Sequence, residues 1–544
     1  MNPLMFIALL LGATVVPLTT LPWIFRRSMA AIGDIIRDRA SSRRRLLIER
    51  AHAEEKEASQ QSKSATVSSA GEDADWEKID SSGTLPSIGN GQKSANAEWE
   101  GVVGFLHPFC NAGGGGERVL WAALRATQQR YPKALCVVYT GDHDVDKDTM
   151  LTNVETRFDI RLHRPRVAFF YLSTRHYVLA STWPRFTLLG QSLGSLILAW
   201  DAFNLIVPDV FVDTMGYAFS LALCKLIFPT IPTAAYVHYP TISTDMLGSL
   251  DDTSGDKGVN AGLGRGWRGT AKRRYWEIFA WLYSVAGGTV DVVMTNSSWT
   301  QNHILQLWGS SRRRNRKPTP IGVVFPPVAV EQLEKLISVS AESERLRRPD
   351  LLYISQFRPE KNHTLIIAAF ARFCRANLSL TQPKLILVGS VRDDTDNLLV
   401  YQLRLQARES GIADRVEFVI NADWSHMLSH LRQASVGVNA MWNEHFGIGV
   451  VEYQAAGLVS VVNASGGPKM DIVVEIDGGR TGFHASTEEE YALAFKEALG
   501  VEEGEKLAMR ARARKSARRF TEREFATKWA EHMEGLVGLA HGKR

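Results

Sequence analysis

Two carboxylates eight positions apart, Glu444 and Glu452, bracket the run EHFGIGVVE, which continues into YQAAG. The spacing predicts a loop that turns into a helix at Gly447 and Gly449. Glycines at such an entry let a diphosphate approach backbone N–H groups at the positive end of the helix dipole. The carboxylates can then accept hydrogen bonds from sugar hydroxyls on either side. Taken alone, the segment also fits an ordinary amphipathic helix with a glycine-rich entry.

Three more segments carry residue types suited to the same chemistry. In SQFRPEKNH, Arg358 and Lys361 lie three residues apart where a helix begins, so both can point to one side. Two cations there would stabilise a diphosphate that gains charge as it leaves, and a surface ion pair with Glu360 is the competing reading. Gly113, Gly114, Gly115 and Gly116, followed by Glu117-Arg118, free the backbone to wrap beside phosphates or a sugar, or simply make a flexible turn. They match neither the Walker A pattern nor the dinucleotide fingerprint, which weighs against a nicotinamide dehydrogenase. VHYPTISTDM places His238 at a strand end, where a histidine is either structural or close to a reacting group. Asp394-Thr395-Asp396 has the form of a metal-binding DxD, but Arg358 and Lys361 already supply positive charge, so no metal is expected.

Such loops need strands to hold them. GVVGFLHPF, ALCVVYTG, DVFVDT, TAAYVHY and DVVMTNSS read as buried strands with helical sequence between them, for example ERVLWAALRATQQRYP. A second alternating set follows the polar stretch 338–350: LLYISQF, KLILVGS, RVEFVI, SVGVNAM and LVSVVNA, with helices over KNHTLIIAAFARFC and NLLVYQLRLQARESG. Alternation of this kind signals parallel sheets covered by helices. The expected fold class is α/β, with two Rossmann-like domains facing a central cleft at the carboxyl ends of their strands. The domains span 98–335 and 336–520, and a last helix over 521–544 packs back on the first.

The chain has 544 residues, of which 45% are hydrophobic, enough for two domains with substantial cores. Its net charge of +5 is mild and clustered, in the basic run after residue 25, in AKRR at 271–274 and in RRRNRK at 312–317. No nucleic-acid module accompanies these runs, so anionic lipid headgroups are the better partner. Cys110, Cys136, Cys224 and Cys374 are far apart, which argues against a disulfide framework or a zinc site and fits a reducing compartment. Residues 4–25 form an uncharged stretch long enough to span a bilayer, kinked at most by Pro17 and Pro22. With the arginines after it, the positive-inside rule puts residues 1–25 down as a lumenal tip and uncleaved anchor, with everything after them cytosolic. A sequon at Asn362 inside the candidate phosphate motif is harmless only on that side. Residues 26–97 read as a basic juxtamembrane segment passing into a disordered tether over 51–97, and 251–266 as a flexible loop. The apolar stretch 186–208 reads either as a buried helix or as a membrane-embedded or interfacial segment, with Asp201 costly in lipid.

The set RPEK, the glutamate pair around FG, GGP at 466–468 and TGF at 481–483 resembles the retaining nucleotide-sugar glycosyltransferases of the glycosyltransferase-B fold, family 4. The strings HPFCNAGGGGERVLWAAL, VHYPTISTDM, TNSSWT and EHFGIGVVEYQAAG resemble, within it, the dolichol-pathway α-1,2-mannosyltransferases of the endoplasmic reticulum. The resemblance spans residues 100–535 and departs from the broad family at Lys469, which follows Pro468 where a glutamate is common. It implies GDP-mannose as donor and, as acceptor, a dolichyl-diphosphate bearing two N-acetylglucosamines and three mannoses. Two mannoses would be added with retention, at the cytosolic face of the endoplasmic reticulum membrane and without a metal or other cofactor. Other dolichol-pathway mannosyltransferases would be candidate partners, and nucleic acid would not. On this chain Arg358 and Lys361 would hold the diphosphate, Glu444 the mannose hydroxyls and Glu452 the ribose. Backbone N–H groups around Phe446, Gly447 and Ile448, beside Gly449, would meet the diphosphate or sugar. The Gly113–Gly116 loop would close on the donor, and His238 would lie near the transferred sugar. A transferase of the same fold with another donor or acceptor, or an inactive tethered scaffold, are the alternatives.

Overall fold

Runs of Val, Ile, Leu and Phe that are apolar at nearly every position make strands buried on both faces, the condition for parallel sheets covered by helices. The computed structural model describes residues 3–68, 98–251, 265–377 and 382–542, with backbone alone at 3–20, 59 and 61–68. Seven strands form the first sheet: β1 (Val102–Leu106), β2 (Leu135–Thr140), β3 (Val167–Tyr171), β4 (Val210–Asp213), β5 (Thr233–Val237), β6 (Val292–Thr295) and β7 (Ile321–Val323). Six form the second: β8 (Arg348–Ile354), β9 (Leu385–Gly389), β10 (Val416–Ile420), β11 (Ala434–Asn439), β12 (Val459–Asn463) and β13 (Gly482–Ala485). The orders are β3-β2-β1-β4-β5-β6-β7 and β10-β9-β8-β11-β12-β13. Strand pairing is parallel. In each sheet the winding reverses once, between β1 and β4 and between β8 and β11, and such switch points open a crevice at the strands' carboxyl ends.

By contact density the chain divides into two compact units, Met1–Ala235 with Thr289–Val292 and Trp529–Arg544, and Tyr236–Gly288 with Val293–Lys528. This partition assigns more of the middle of the chain to the second unit than a boundary near 335 does. In the first unit, helix Glu522–His541 contributes Trp529, whose ring stacks 6.3 Å from Phe105 and whose Nε1 donates to Thr127 Oγ1 at 2.9 Å. Helix Thr187–Leu205 buries Leu198, Ala199, Ala202 and Phe203 and turns Leu193, Ile197 and Trp200 outward. Asp201 on this helix accepts from Ser173 N–H at 2.9 Å and Thr174 Oγ1 at 3.0 Å.

One expectation fails in part. Residues 51–68 are not a disordered tether, because a single helix runs Pro3–Ser68. Their Ala, Glu, Lys and Gln content lacks core-forming side chains, yet these are good helix formers. The helix also docks: Ala51 is buried, Glu54 takes Lys147 Nζ at 2.7 Å, and Glu55 accepts from Arg166 at 2.5 Å. The rest of the tether, 69–97, and loop residues 252–264 lie outside the described residues. So do the side chains of 4–20 within the expected anchor. Among the described residues, no helix is long and apolar enough to cross a membrane.

The second unit packs two apolar layers on its sheet. One is built on Phe357, Phe370, Phe373 and Tyr491, the other on Phe446, Val450, Val451 and Phe520. Arg510, fully buried on helix Glu503–Ala517, donates to Ser435 O at 3.0 Å and pairs with Glu344 Oε2 at 2.7 Å. It ties that helix to the root of β11.

Candidate active site

The switch point of the second sheet collects the predicted cations and carboxylate. The chain leaves β8 at Ile354 and reaches Arg358 and Lys361 around a short 3-10 turn, Pro359–Lys361. It leaves β11 at Asn439 and reaches Glu444 five residues on. Lys361 Nζ donates to Glu444 Oε2 at 2.6 Å, and Asn439 Nδ2 lies 3.5 Å from the same oxygen. That contact joins two segments singled out separately in the sequence, and its pairing was not foreseen. Arg358 lies 3.8 Å from Glu360, a loose pair, and its buried Nε has no hydrogen-bond partner among the described residues. A buried guanidinium N–H without an acceptor is costly, so this group is suited to an anion.

Gly447 has φ +105°, the left-handed region that favours glycine, and caps helix Ile448–Ala456. The first N–H groups of that helix have no intrahelical acceptor. Gly449 leaves room beside them, since a Cβ there would meet nothing closer than Ile354 O at 3.8 Å. Glu452 stands one turn further along, half-buried. Phe446, by contrast, is a core residue, with its ring 5.8 Å from Phe325 and 5.3 Å from Phe520, so only its backbone is available to a ligand. The GGP loop braces this segment from behind: Gly467 N–H donates to Glu444 O at 2.8 Å, and a Cβ on Gly466 would sit 2.3 Å from that oxygen. Its role is packing, while Lys469 is exposed.

His363 stacks on Phe357 at 5.0 Å, lies tilted to Tyr353 at 4.9 Å and faces Ser355 Oγ at 3.0 Å. Burial, with Lys361 nearby, pushes its imidazole down to about 3, so it stays neutral.

Several residues of this neighbourhood escaped sequence reasoning, though His238 did not: it follows β5 directly, with its ring 4.9 Å from Tyr236. The next residue, Tyr239, stacks at 4.1 Å on His445, the neighbour of Glu444, and Trp299 lies 5.4 Å from the same imidazole. Burial pushes His445 down to about 4 against the pull of Glu444. Asp245 accepts from Asn443 Nδ2 at 2.6 Å and faces His303 Nε2 at 3.4 Å. The hydrogen bond to His303 holds its carboxyl below the usual range. Asn443 adopts φ +52°, an uncommon conformation for a residue with a side chain. The strings VHYPTISTDM, TNSSWT and EHFG were visible as motifs, but their mutual contact was not.

In the first unit, Gly113, with φ +84°, and Gly114 form the turn after β1, whereas Gly115 and Gly116 already belong to helix Gly115–Arg130. Glu117 accepts from Gly114 N–H at 2.5 Å and lies 3.5 Å from His107 Nε2, while His107 Nδ1 meets Thr214 Oγ1 at 2.7 Å. Burial alone would raise the Glu117 carboxyl, but His107 and the Gly114 N–H outweigh it and hold it low. Of the DxD pair, Asp394 is the first residue of helix Asp394–Glu409, which Asp393 caps, and Asp396 is buried against Arg392 at 3.4 Å.

Two parallel-sheet α/β domains of this kind recur in solved structures. HepE of Anabaena, solved with UDP and glucose, superposes with a TM-score of 0.53 at 16% identity, covering 80% of this chain and 100% of that one. The sucrose-phosphate synthase of Thermosynechococcus elongatus gives 0.57 at 15% identity, with 80% and 99% covered. At such identities the likeness concerns the fold alone. Residues 334–520 match the family model "Glycosyl transferases group 1", and residues 100–308 match "ALG11 mannosyltransferase N-terminus". Fold and models define a glycosyltransferase of the B fold. Proteins named GDP-Man:Man(3)GlcNAc(2)-PP-Dol alpha-1,2-mannosyltransferase are 57% identical to this chain in Neurospora crassa, over 97% of the chain and 96% of the relative. In Homo sapiens the identity is 44%, over 81% and 88%. The chain belongs to this mannosyltransferase family.

Proposed function

We propose that the protein transfers mannose from GDP-mannose, in α-1,2 linkage and with retention, to dolichyl-diphosphate-linked trimannosyl-chitobiose, adding the fourth and fifth mannoses in turn. The observation that carries the reading is the contact of Lys361 with Glu444 at the β8/β11 switch point, with Arg358 three residues before Lys361 on the same turn and the start of helix Ile448–Ala456 just after Glu444. Family membership at 57% identity supports the choice of donor and acceptor.

In this reading Arg358 and Lys361 grip the diphosphate, which competes with Glu444 for the Lys361 ammonium. Backbone N–H groups at Gly447, Ile448 and Gly449 add a helix terminus to the same anion. Glu444 then accepts from mannose hydroxyls, Glu452 from ribose, and His238 lies near the transferred sugar. Retention without a dedicated carboxylate nucleophile points to front-face attack. The bond from the anomeric carbon to the diphosphate oxygen breaks, the acceptor oxygen bonds on the same face, and the acceptor proton passes to the leaving diphosphate. The protein's share is positioning and charge stabilisation, each well-placed cation being worth about 3–4 kcal/mol by analogy with an oxyanion donor. No metal is needed for this scheme, and loss of transfer in EDTA would count against it.

We place residues 4–25 in the endoplasmic reticulum membrane as an anchor, with both sheets on the cytosolic side. Arg26 and Arg27 directly after the exposed Trp23, Ile24 and Phe25 support that orientation. The test is incubation of the full chain with radiolabelled GDP-mannose and a lipid-linked trimannosyl acceptor. Two added mannoses, both released by an α-1,2-specific mannosidase, are expected. A product resistant to that enzyme, or no product, overturns the assignment.

A further inference from the structure

Helix Gly266–Gly287 carries side chains that the transfer reaction does not use. One face is ordinary core: Trp276, Phe279, Tyr283 and Ala286 are buried, and Tyr283 lies edge-on to Trp308 at 5.2 Å. The opposite face is apolar apart from Arg274. Trp267, Ala271, Arg274, Ile278, Trp281 and Val285 succeed one another at alternating steps of four and three residues, so they form a single stripe about 27 Å long. Trp267 is 78% exposed, Ile278 61% and Trp281 62%, so a second hydrophobic stripe faces away from the core.

The charge on this helix is concentrated at its start. Arg265, Arg268, Lys272, Arg273 and Arg274 crowd its start and first turns, and the only acid within the helix, Glu277, pairs with Arg274 at 2.8 Å. Arg273 pairs with Asp251, and Arg268 lies 5.3 Å from the Trp267 ring centre. Arg265 and Arg268 are exposed. Cationic heads at one end and tryptophan and isoleucine along the rest need two environments side by side, an anionic layer next to an apolar one. The headgroup-to-acyl boundary of a bilayer supplies both, and long basic side chains can reach up to it while indole rings settle at it.

We infer that helix Gly266–Gly287 docks in the plane of an anionic phospholipid surface through the Trp267–Val285 stripe. It is a second membrane contact in addition to the N-terminal anchor. The inference depends on the proposed function only in taking a membrane as the working surface.

All four native cysteines are buried, so a Trp281→Cys variant of the full chain can be labelled selectively with a polarity-sensitive fluorophore. The label is read on phosphatidylcholine vesicles with and without phosphatidylserine, with Lys496→Cys, exposed on helix Glu488–Gly500, as the reference position. A several-fold, blue-shifted rise at position 281 on serine-lipid vesicles is expected, with none at 496. Pairing Arg265→Glu with Arg268→Glu should abolish most of the rise. The inference is overturned by an unchanged label on vesicles that retain the protein, or by equal responses on neutral and anionic lipid. A rise that follows protein concentration without vesicles also overturns it, because it would mean that a second copy covers the stripe. Because location and not turnover is read, failure here is separate from failure of the mannosyl transfer.

Discussion

At the scale of single residues, the transfer reading makes its sharpest predictions at two side chains. Arg358→Ala and Lys361→Ala should each lower mannosyl transfer at least about 100-fold, in line with losing one preorganised charge donor. Circular dichroism should show the fold intact, since neither residue supports the core, and near-normal turnover in either variant would remove its role. The two buried imidazoles make a separate prediction about acid. His445 and His363 are held neutral, down to about 4 and about 3, whereas an unfolded histidine titrates near about 6.5. Between those values the unfolded chain binds more protons than the folded one, so stability is whole above about pH 6.5 and falls as pH drops toward 4. Thermal midpoints measured at pH 7, 6 and 5 should fall more steeply for the native chain than for His445→Gln, and parallel curves would contradict this. Residue types were readable in sequence for Arg358, Lys361, Glu444 and Glu452, because glycines and charges at a strand end are a local pattern. The Lys361–Glu444 contact, and the placing of Tyr239 and Trp299 on His445, join positions far apart in the chain, and no local pattern records them.

At the scale of elements, the long N-terminal helix departs most from expectation. Its basic residues looked like a headgroup-binding run, yet part of the run is committed to the protein. Arg44 pairs with Asp209 and donates to Val207 O at 3.1 Å, while Asp209 also accepts from Val102 N–H at 2.9 Å, at the start of β1. Arg44→Ala should therefore cost about 1–3 kcal/mol by taking the paired cation from a largely buried carboxylate. Exposed Arg45→Ala should change stability by about 0.5 kcal/mol or less. Urea midpoints of the two variants check the contrast. Strands were easier to read than this helix. Ten of the thirteen fall on apolar runs identified in sequence, because buried parallel strands are hydrophobic almost throughout. The three others are β3, β7 and β13. β7 has only three residues and β13, GFHA, a single large apolar side chain, so neither makes an apolar run, while β3, VAFFY, follows a charged segment that hides its start.

At the scale of the whole molecule, a ligand that binds only the folded form raises its stability, by about 2.7 kcal/mol at one hundred times its dissociation constant. GDP and GDP-mannose should therefore raise the thermal midpoint of the full chain, while UDP-glucose at the same concentration should not. A larger shift with the uridine nucleotide would redirect the donor assignment to another transferase of this fold. Arg358→Ala should reduce the GDP shift and leave the ligand-free midpoint in place.

The amino-acid order alone determined the class of fold, the alternation of strands and helices, and the charged and glycine-rich segments at strand ends, since each is written in a window of some twenty residues. Tertiary structure decided which of those segments meet. The reversal of winding between β8 and β11 puts the Lys361 turn beside the Glu444 loop, although eighty-three positions separate them. It also decided that Phe446 belongs to the core, that the N-terminal helix continues to Ser68, and that Trp281 faces outward. Burial and partnership are properties of packing, and packing depends on every element at once.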